Sequence, residues 1–114
     1  MRARSGVARA AKHKKIKKQT KGMGHARRRS FRLGKQAVVR SQQYAYRDRR
    51  NKKRDLKRLW ITRINAAARA EGTTYSALMS NMKTAGVTIN RKVLAELAYN
   101  EPKAFAEVVK AVSK

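Results

Sequence analysis

Phe31 to Ala70, FRLGKQAVVRSQQYAYRDRRNKKRDLKRLWITRINAAARA, is the stretch that decides the fold. It has no Pro, one early glycine at Gly34 and a high share of helix formers, which predicts one long helix or two nearly collinear ones. From Lys35 to Ala70 such a helix would reach about 54 Å at 1.5 Å per residue, which outruns a small domain. Its first half lacks an apolar stripe. Ala37, Val38, Val39, Tyr44, Ala45 and Tyr46 scatter around the axis, and the two tyrosines face nearly opposite ways, so this half is not expected to pack on protein. Arg49 with Lys53, Arg50 with Arg54 and Arg54 with Arg58 set like charges one turn apart, each pair costing roughly 0.2–0.5 kcal/mol in an isolated helix. Asp48 ahead of Lys52 offsets little of this. Near Leu56 the pattern changes: Leu56, Leu59, Trp60, Ile64, Ala67 and Ala68 recur at three- and four-residue spacing and make one apolar face that needs a partner.

Downstream, three short amphipathic helices are predicted to supply that partner. Thr74 is placed to cap a helix carrying Tyr75, Leu78, Met79 and Met82 and stopped near Gly86. Asn90 is placed to cap a second with Val93, Leu94 and Leu97, and Pro102 suits the first turn of a third that presents Phe105, Val108, Val109 and Val112. Met79 and Met82 read as core fillers. A bundle of this size hides only about 60% of its chain surface, so it is expected to be marginal alone.

Upstream, residues 1–30 hold 12 basic residues and no acid, with Val7, Ile16 and Met23 as the sizeable apolar side chains, too few for a core. This reads as a tail. Val7 to Lys18 suits a short helix if its lysines are neutralised, and Gly22 and Gly24, flanking Met23, interrupt it. A solvated arm and an arm that orders on RNA both fit this composition.

The fold class read from the sequence is therefore all-α: an extended basic N-terminal arm and long helix over residues 1–58, then a small helical bundle over 59–114. With 114 residues there is room for one compact domain plus an extension. Lys and Arg number 31 against 6 Asp and Glu, a formal net charge of +25, so the chain repels itself and gains by meeting a polyanion. Residues 1–58 carry 23 of the basic residues and only Asp48 and Asp55 against them. A membrane is not the expected partner, because no apolar run approaches the roughly 18 residues a span requires. The start Met1-Arg2-Ala3-Arg4 runs into further charge, so neither a secretion signal nor a transit segment is expected. The absence of Cys excludes disulfides and thiolate chemistry, in keeping with a reducing cytoplasmic setting.

Catalysis, cofactors and small-molecule substrates are not expected, because the six acids are dispersed and none pairs convincingly as an acid and base couple. His13 and His25 lie in the basic arm without Cys or nearby carboxylates, so no metal site is expected; a phosphate or base contact and a merely solvated position are both open to them. No phosphate-cradling glycine loop is present.

Nucleic-acid binding has three supports. Lys14-Lys15, Lys17-Lys18, Lys21, Arg27-Arg28-Arg29 and Arg49-Arg50-Asn51-Lys52-Lys53-Arg54 can neutralise phosphates and release counterions. Basic residues cover most faces of the helix between Arg40 and Arg58, which suggests enclosure within folded RNA rather than rest on one duplex surface. Tyr44 and Tyr46 interleave with Arg40, Arg47 and Arg49, a mix suited to stacking on unpaired bases and to bidentate phosphate contacts, although helical tyrosines also serve as hydrophobic cover. The candidate RNA-binding residues are thus His13, Lys14, Lys15, Lys17, Lys18, Lys21, Arg27, Arg28, Arg29, Arg40, Tyr44, Tyr46, Arg47, Arg49, Arg50, Lys52, Lys53, Arg54 and Arg58.

Gln42-Gln43-Tyr44-Ala45-Tyr46-Arg47-Asp48-Arg49-Arg50-Asn51-Lys52-Lys53-Arg54, continued by Leu59-Trp60-Ile61-Thr62-Arg63-Ile64-Asn65-Ala66-Ala67-Ala68-Arg69, resembles the core signature of the bacterial large-subunit ribosomal protein twenty family. His13-Lys14-Lys15 and Lys21-Gly22 upstream, and Tyr75-Ser76, Asn90-Arg91-Lys92-Val93-Leu94-Ala95 and Ala104-Phe105 downstream, extend the likeness over nearly the whole chain. The resemblance implies an arm and long helix threaded into large-subunit ribosomal RNA, and a small helical domain at the subunit's outer side beside neighbouring large-subunit proteins. It also implies early entry into assembly and, in some members, translational repression of the protein's own mRNA. One departure is that the family often carries aromatics just after the Lys-Gly pair, where this chain has Met23-Gly24-His25, so aromatic stacking is not carried over to the arm. A DNA-compacting, histone-like protein would share the charge but not the helix charged all round. A membrane-active cationic peptide would need a continuous apolar face that residues 1–55 lack.

Overall fold

The computed structural model describes residues 6–113. The readings made on Met1 to Arg4 lie outside the described residues. Six helices follow one another: α1 (Gly6–Gln19), α2 (Ala26–Arg29), α3 (Phe31–Ala70), α4 (Tyr75–Thr84), α5 (Arg91–Asn100) and α6 (Pro102–Val112), with no strand among the described residues. The all-α class and the order of basic arm, long helix and short helices are those read from the sequence. The segment from Phe31 to Ala70 forms one helix. The chain divides into two compact units, Met1–Arg50 and Asn51–Lys114.

In the first unit α1 ends at a turn where Gly22 adopts a left-handed φ of 85°, a conformation that costs glycine little. His25 has a φ of 56°, which strains a residue with a Cβ, and it sits at the entry to α2. The arm meets α3 at Gly34, which is buried; a Cβ there would lie 2.8 Å from the Arg27 carbonyl oxygen and 3.3 Å from the Cγ2 atoms of both Ile16 and Thr20. Only a residue without a side chain admits this approach. Thr20 is buried and donates its hydroxyl to the Lys17 carbonyl at 3.2 Å, so its polar atom is satisfied at the contact. The His13 and Phe31 rings stack at 4.0 Å between centroids and 13° between planes, and Val38 is buried further along α3. The expectation that the first half of the long helix does not pack on protein therefore fails at Gly34 and Val38. The seam has no amphipathic stripe and uses one missing side chain and one ring pair instead.

Gly34→Ala should open this seam, costing about 1–3 kcal/mol through overpacking against a backbone atom that cannot rotate away. Hydrogen exchange at the Thr20 amide, bonded to the Ile16 carbonyl at 2.9 Å, should accelerate accordingly. Gly24→Ala, with open space around its Cβ position, should leave that rate unchanged.

In the second unit Ile64 and Ala68 of α3 close on Leu78 and Met82 of α4, Leu94 and Ala95 of α5, and Phe105, Val109 and Val112 of α6. Trp60, Ala67, Tyr75, Met79 and Leu97 pack around them. The predicted caps form: Thr74 Oγ1 accepts from the Ala77 amide at 3.4 Å and Asn90 Oδ1 from the Val93 amide at 2.9 Å, while Pro102 opens α6. Gly72 and Gly86 end α3 and α4 in the left-handed conformation, and the Thr73 and Val87 amides bond back to the Ala68 and Met82 carbonyls at 2.9 Å in each case. Two expectations are corrected. Leu56 and Leu59 lie on the apolar face that the spacing predicts for α3 but are 39% and 42% exposed, and Val93 of α5 is 44% exposed. The helical period ran on past the place where the partner helices cover it.

Candidate nucleic-acid interface

Every residue of α3 from Val39 to Arg50 is exposed, as is every residue from Lys52 to Leu59. A helix that leaves so long a stretch uncovered gains little from protein packing there, and its side chains face solvent. Several of them are already ordered by their neighbours. The Arg40 guanidinium donates Nε–H to the Tyr44 hydroxyl at 3.1 Å, and the Cζ atoms of Arg40 and Arg47 lie 5.1 and 4.8 Å from the centre of the Tyr44 ring. Arg50 places its Cζ 3.8 Å from the centre of the Tyr46 ring and donates Nη1–H to the Tyr46 carbonyl at 3.1 Å. These contacts arise because residues three and four apart share a helix face. They hold each guanidinium over an aromatic ring, which restricts its rotamers while leaving N–H groups to donate outward.

Arg47 also donates Nε–H to Asp48 Oδ1 at 2.8 Å. That hydrogen bond first, and the Asp48 charge second, push the Arg47 guanidinium further above its ordinary value, so it remains a cation throughout the working pH range. Arg54 donates to Asn51 Oδ1 at 3.1 Å, and Arg58 lies 3.8 Å from Asp55 across one turn. Both pairs are solvent-exposed and orient side chains more than they stabilise the fold.

Of the residues singled out in the sequence, Lys14, Lys15, Lys17 and Lys18 are exposed on α1, Lys21 on the following turn, and Arg27, Arg28 and Arg29 on α2. Arg40, Tyr44, Tyr46, Arg47, Arg49, Arg50, Lys52, Lys53, Arg54 and Arg58 are exposed on α3. His13 differs: it is half-buried and its ring stacks on Phe31. The fold also brings together residues the sequence reading did not. Arg27 of α2 and Arg40 of α3 border one cleft of about 700 Å³, with Met23, Leu33, Gln36, Ala37, Ser41 and Tyr44. No linear spacing announces this, because the reversal between α1 and α3 sets the juxtaposition. In the second unit Arg63 lies with its Cζ 4.9 Å from the centre of the Tyr99 ring, and Arg91 donates Nε–H to the Tyr75 hydroxyl at 2.7 Å, two further ordered guanidiniums.

Among the described residues, no group of three or more His, Cys, Asp or Glu is placed to hold a metal ion, and no helix is long and apolar enough to cross a membrane. The sequence model for ribosomal protein L20 matches residues 2–108. This chain belongs to the ribosomal protein L20 family. The large ribosomal subunit protein bL20 of Carboxydothermus hydrogenoformans is 55% identical over 113 residues, covering 99% of this chain and 97% of the relative. Its counterpart from Acetivibrio thermocellus is 52% identical, covering 97% and 95%. That of Marinobacter nauticus is 56% identical, covering 95% and 92%. Ribosomal protein L20 is a structural component, so the chain is not an enzyme. In this L20-family chain the candidate interface residues are the dense cations of α1, α2 and α3 up to Arg50 in the first unit, and those from Lys52 to Arg58 in the second.

Proposed function

We propose that this chain is a structural constituent of the large ribosomal subunit that binds large-subunit ribosomal RNA directly and acts in assembly as a clamp. The observation that carries this reading is the uncovered, cation-rich stretch of α3 with its guanidiniums stacked on tyrosines. RNA segments brought close together repel through their phosphates, and a helix charged on all faces lowers that cost for several segments at once. Residues 1–58 enter the RNA, Arg47, Arg49, Arg50, Lys52, Lys53 and Arg54 take the largest share of the phosphates, and residues 59–114 dock as a folded unit on an RNA junction. The setting is the cytoplasmic ribosome, among neighbouring large-subunit proteins, with early entry into the assembling particle. Repression of the protein's own mRNA belongs to the same reading, since a messenger that folds into a like junction presents the same surface.

The test is filter binding of the full chain to large-subunit ribosomal RNA over a range of salt. Log affinity should fall with log salt by roughly 0.7–0.9 for each phosphate contacted, and a nearly flat response would refute the clamp. Equal affinity for duplex DNA would favour a DNA-compacting role instead. On a sucrose gradient of lysate the protein should travel with the large subunit.

A further inference from the structure

The cleft between the arm and α3 differs in character from the rest of the cationic surface. Met23 and Ala37 are half-buried within it and Leu33 is 43% exposed, so it has an apolar floor on a chain whose charge should keep apolar surface from being left open without use. Tyr44 stands beside this floor with 43% of its surface exposed, and its ring is oriented by the hydrogen bond from Arg40. Arg27 and Arg40 reach the cleft from α2 and α3, and no acid lines it. An apolar base with an aromatic wall and two cations fits a ligand that joins a flat, weakly polar ring to an anionic group.

We propose that this cleft receives the base of a single unpaired nucleotide of the bound RNA, with the adjoining phosphate held by Arg27 and Arg40. The inference rests on the RNA-binding reading above and narrows it to a site. A paired base cannot enter, because in an A-form helix it is stacked and its major-groove edge is out of reach of side chains. A bulged or loop nucleotide can swing out. Its ring then replaces water over Met23, Leu33 and Ala37, while the Arg40 guanidinium, 5.1 Å from the centre of the Tyr44 ring in the free chain, swings to the phosphate and gives up its place at Tyr44 to the base. Gln36 offers an amide donor and acceptor, and Ser41 a hydroxyl, to the base edge. Two guanidiniums suit the phosphate because their planar forks donate two parallel hydrogen bonds each.

The experiment uses the full chain and two synthetic RNAs matched in phosphate number, one a perfect duplex and the other carrying a single bulged 5-iodouridine. The quantity read is the ratio of their affinities at one salt concentration, so the charge common to both RNAs cancels. The unsubstituted chain should favour the bulged RNA by about tenfold, the scale of one base stacked on an aromatic ring. Tyr44→Ala should bring the ratio close to one, and Tyr44→Phe, which keeps the ring, should restore it. Alanine and phenylalanine both suit an exposed helix position, so loss of fold does not confuse the result. Irradiation of the bulged complex should attach the iodouridine to Tyr44 or Met23. A ratio near one for the unsubstituted chain, a preference that survives Tyr44→Ala, or a crosslink outside the cleft would each overturn the proposal and leave the RNA-binding reading standing. Failure of both RNAs to bind at low salt would overturn that reading, and the site with it.

Discussion

Replacing Arg47, Arg49, Arg50, Lys52, Lys53 and Arg54 together with Gln flattens the salt dependence of RNA binding by about four to five units of log affinity per log salt, if each side chain neutralises one phosphate. Between 50 and 200 mM salt the unsubstituted chain should then lose on the order of a thousandfold more affinity than the variant. The physical cause is counterion release: ions condensed on RNA are freed when protein cations take their place, and each cation removed takes one such release with it. A variant that merely misfolded would also bind weakly, so helicity decides between the two causes. Gln is a good helix former, and the substitutions remove the like-charge pairs Arg49 with Lys53 and Arg50 with Arg54, so circular dichroism of the free chain should show equal or greater helix content. Weak binding with preserved helicity and an unchanged salt slope would mean that these residues do not face phosphates.

Phe105→Ala should unfold the C-terminal unit at room temperature. Phe105 is 1% exposed in α6 and belongs to the core with Ile64, Leu78 and Leu94. Removing a buried phenylalanine costs about 3–5 kcal/mol in lost transfer energy and residual cavity. A single core in a domain of this size rarely supplies more than about 3–5 kcal/mol in total. The two quantities are of the same size, so the unit loses most or all of its margin. Urea titration of the full chain, followed by the fluorescence of Trp60 packed against this core, should show the transition vanish or move to very low denaturant. Leu59→Ala, at a residue 42% exposed on α3, should shift it by less than about 1 kcal/mol. Equal shifts for the two variants would show that the core lies elsewhere.

Much of the second unit was legible because local chemistry and packing agree there. Thr74, Asn90 and Pro102 mark helix starts by satisfying or lacking amides that a first turn leaves unpaired, and Gly86 marks an end by accepting a left-handed backbone. Leu56, Leu59 and Val93 were misplaced for the opposite reason: periodicity reports which face is apolar, not how far the covering helices extend. The candidate interface was readable as residue types, since only Asp48 and Asp55 stand against the 23 basic residues of 1–58. Its arrangement was not. The stacks of Arg40 and Arg47 on Tyr44 follow from helix spacing once rotamers are fixed, whereas the cleft joining Met23 and Arg27 to Leu33, Arg40 and Tyr44 requires the chain to reverse.

By itself the sequence determined the helical class, a long helical stretch that one helix or two nearly collinear ones would satisfy, the starts of the short helices and the concentration of positive charge, because each depends on residues within a turn or two of one another. Only the tertiary structure decided that the arm folds back on α3 at Gly34, that His13 meets Phe31, and that Met23 and Arg27 border one cleft with Leu33, Arg40 and Tyr44. Those features depend on a close approach between residues far apart along the chain, which the absence of one side chain permits and no periodicity encodes.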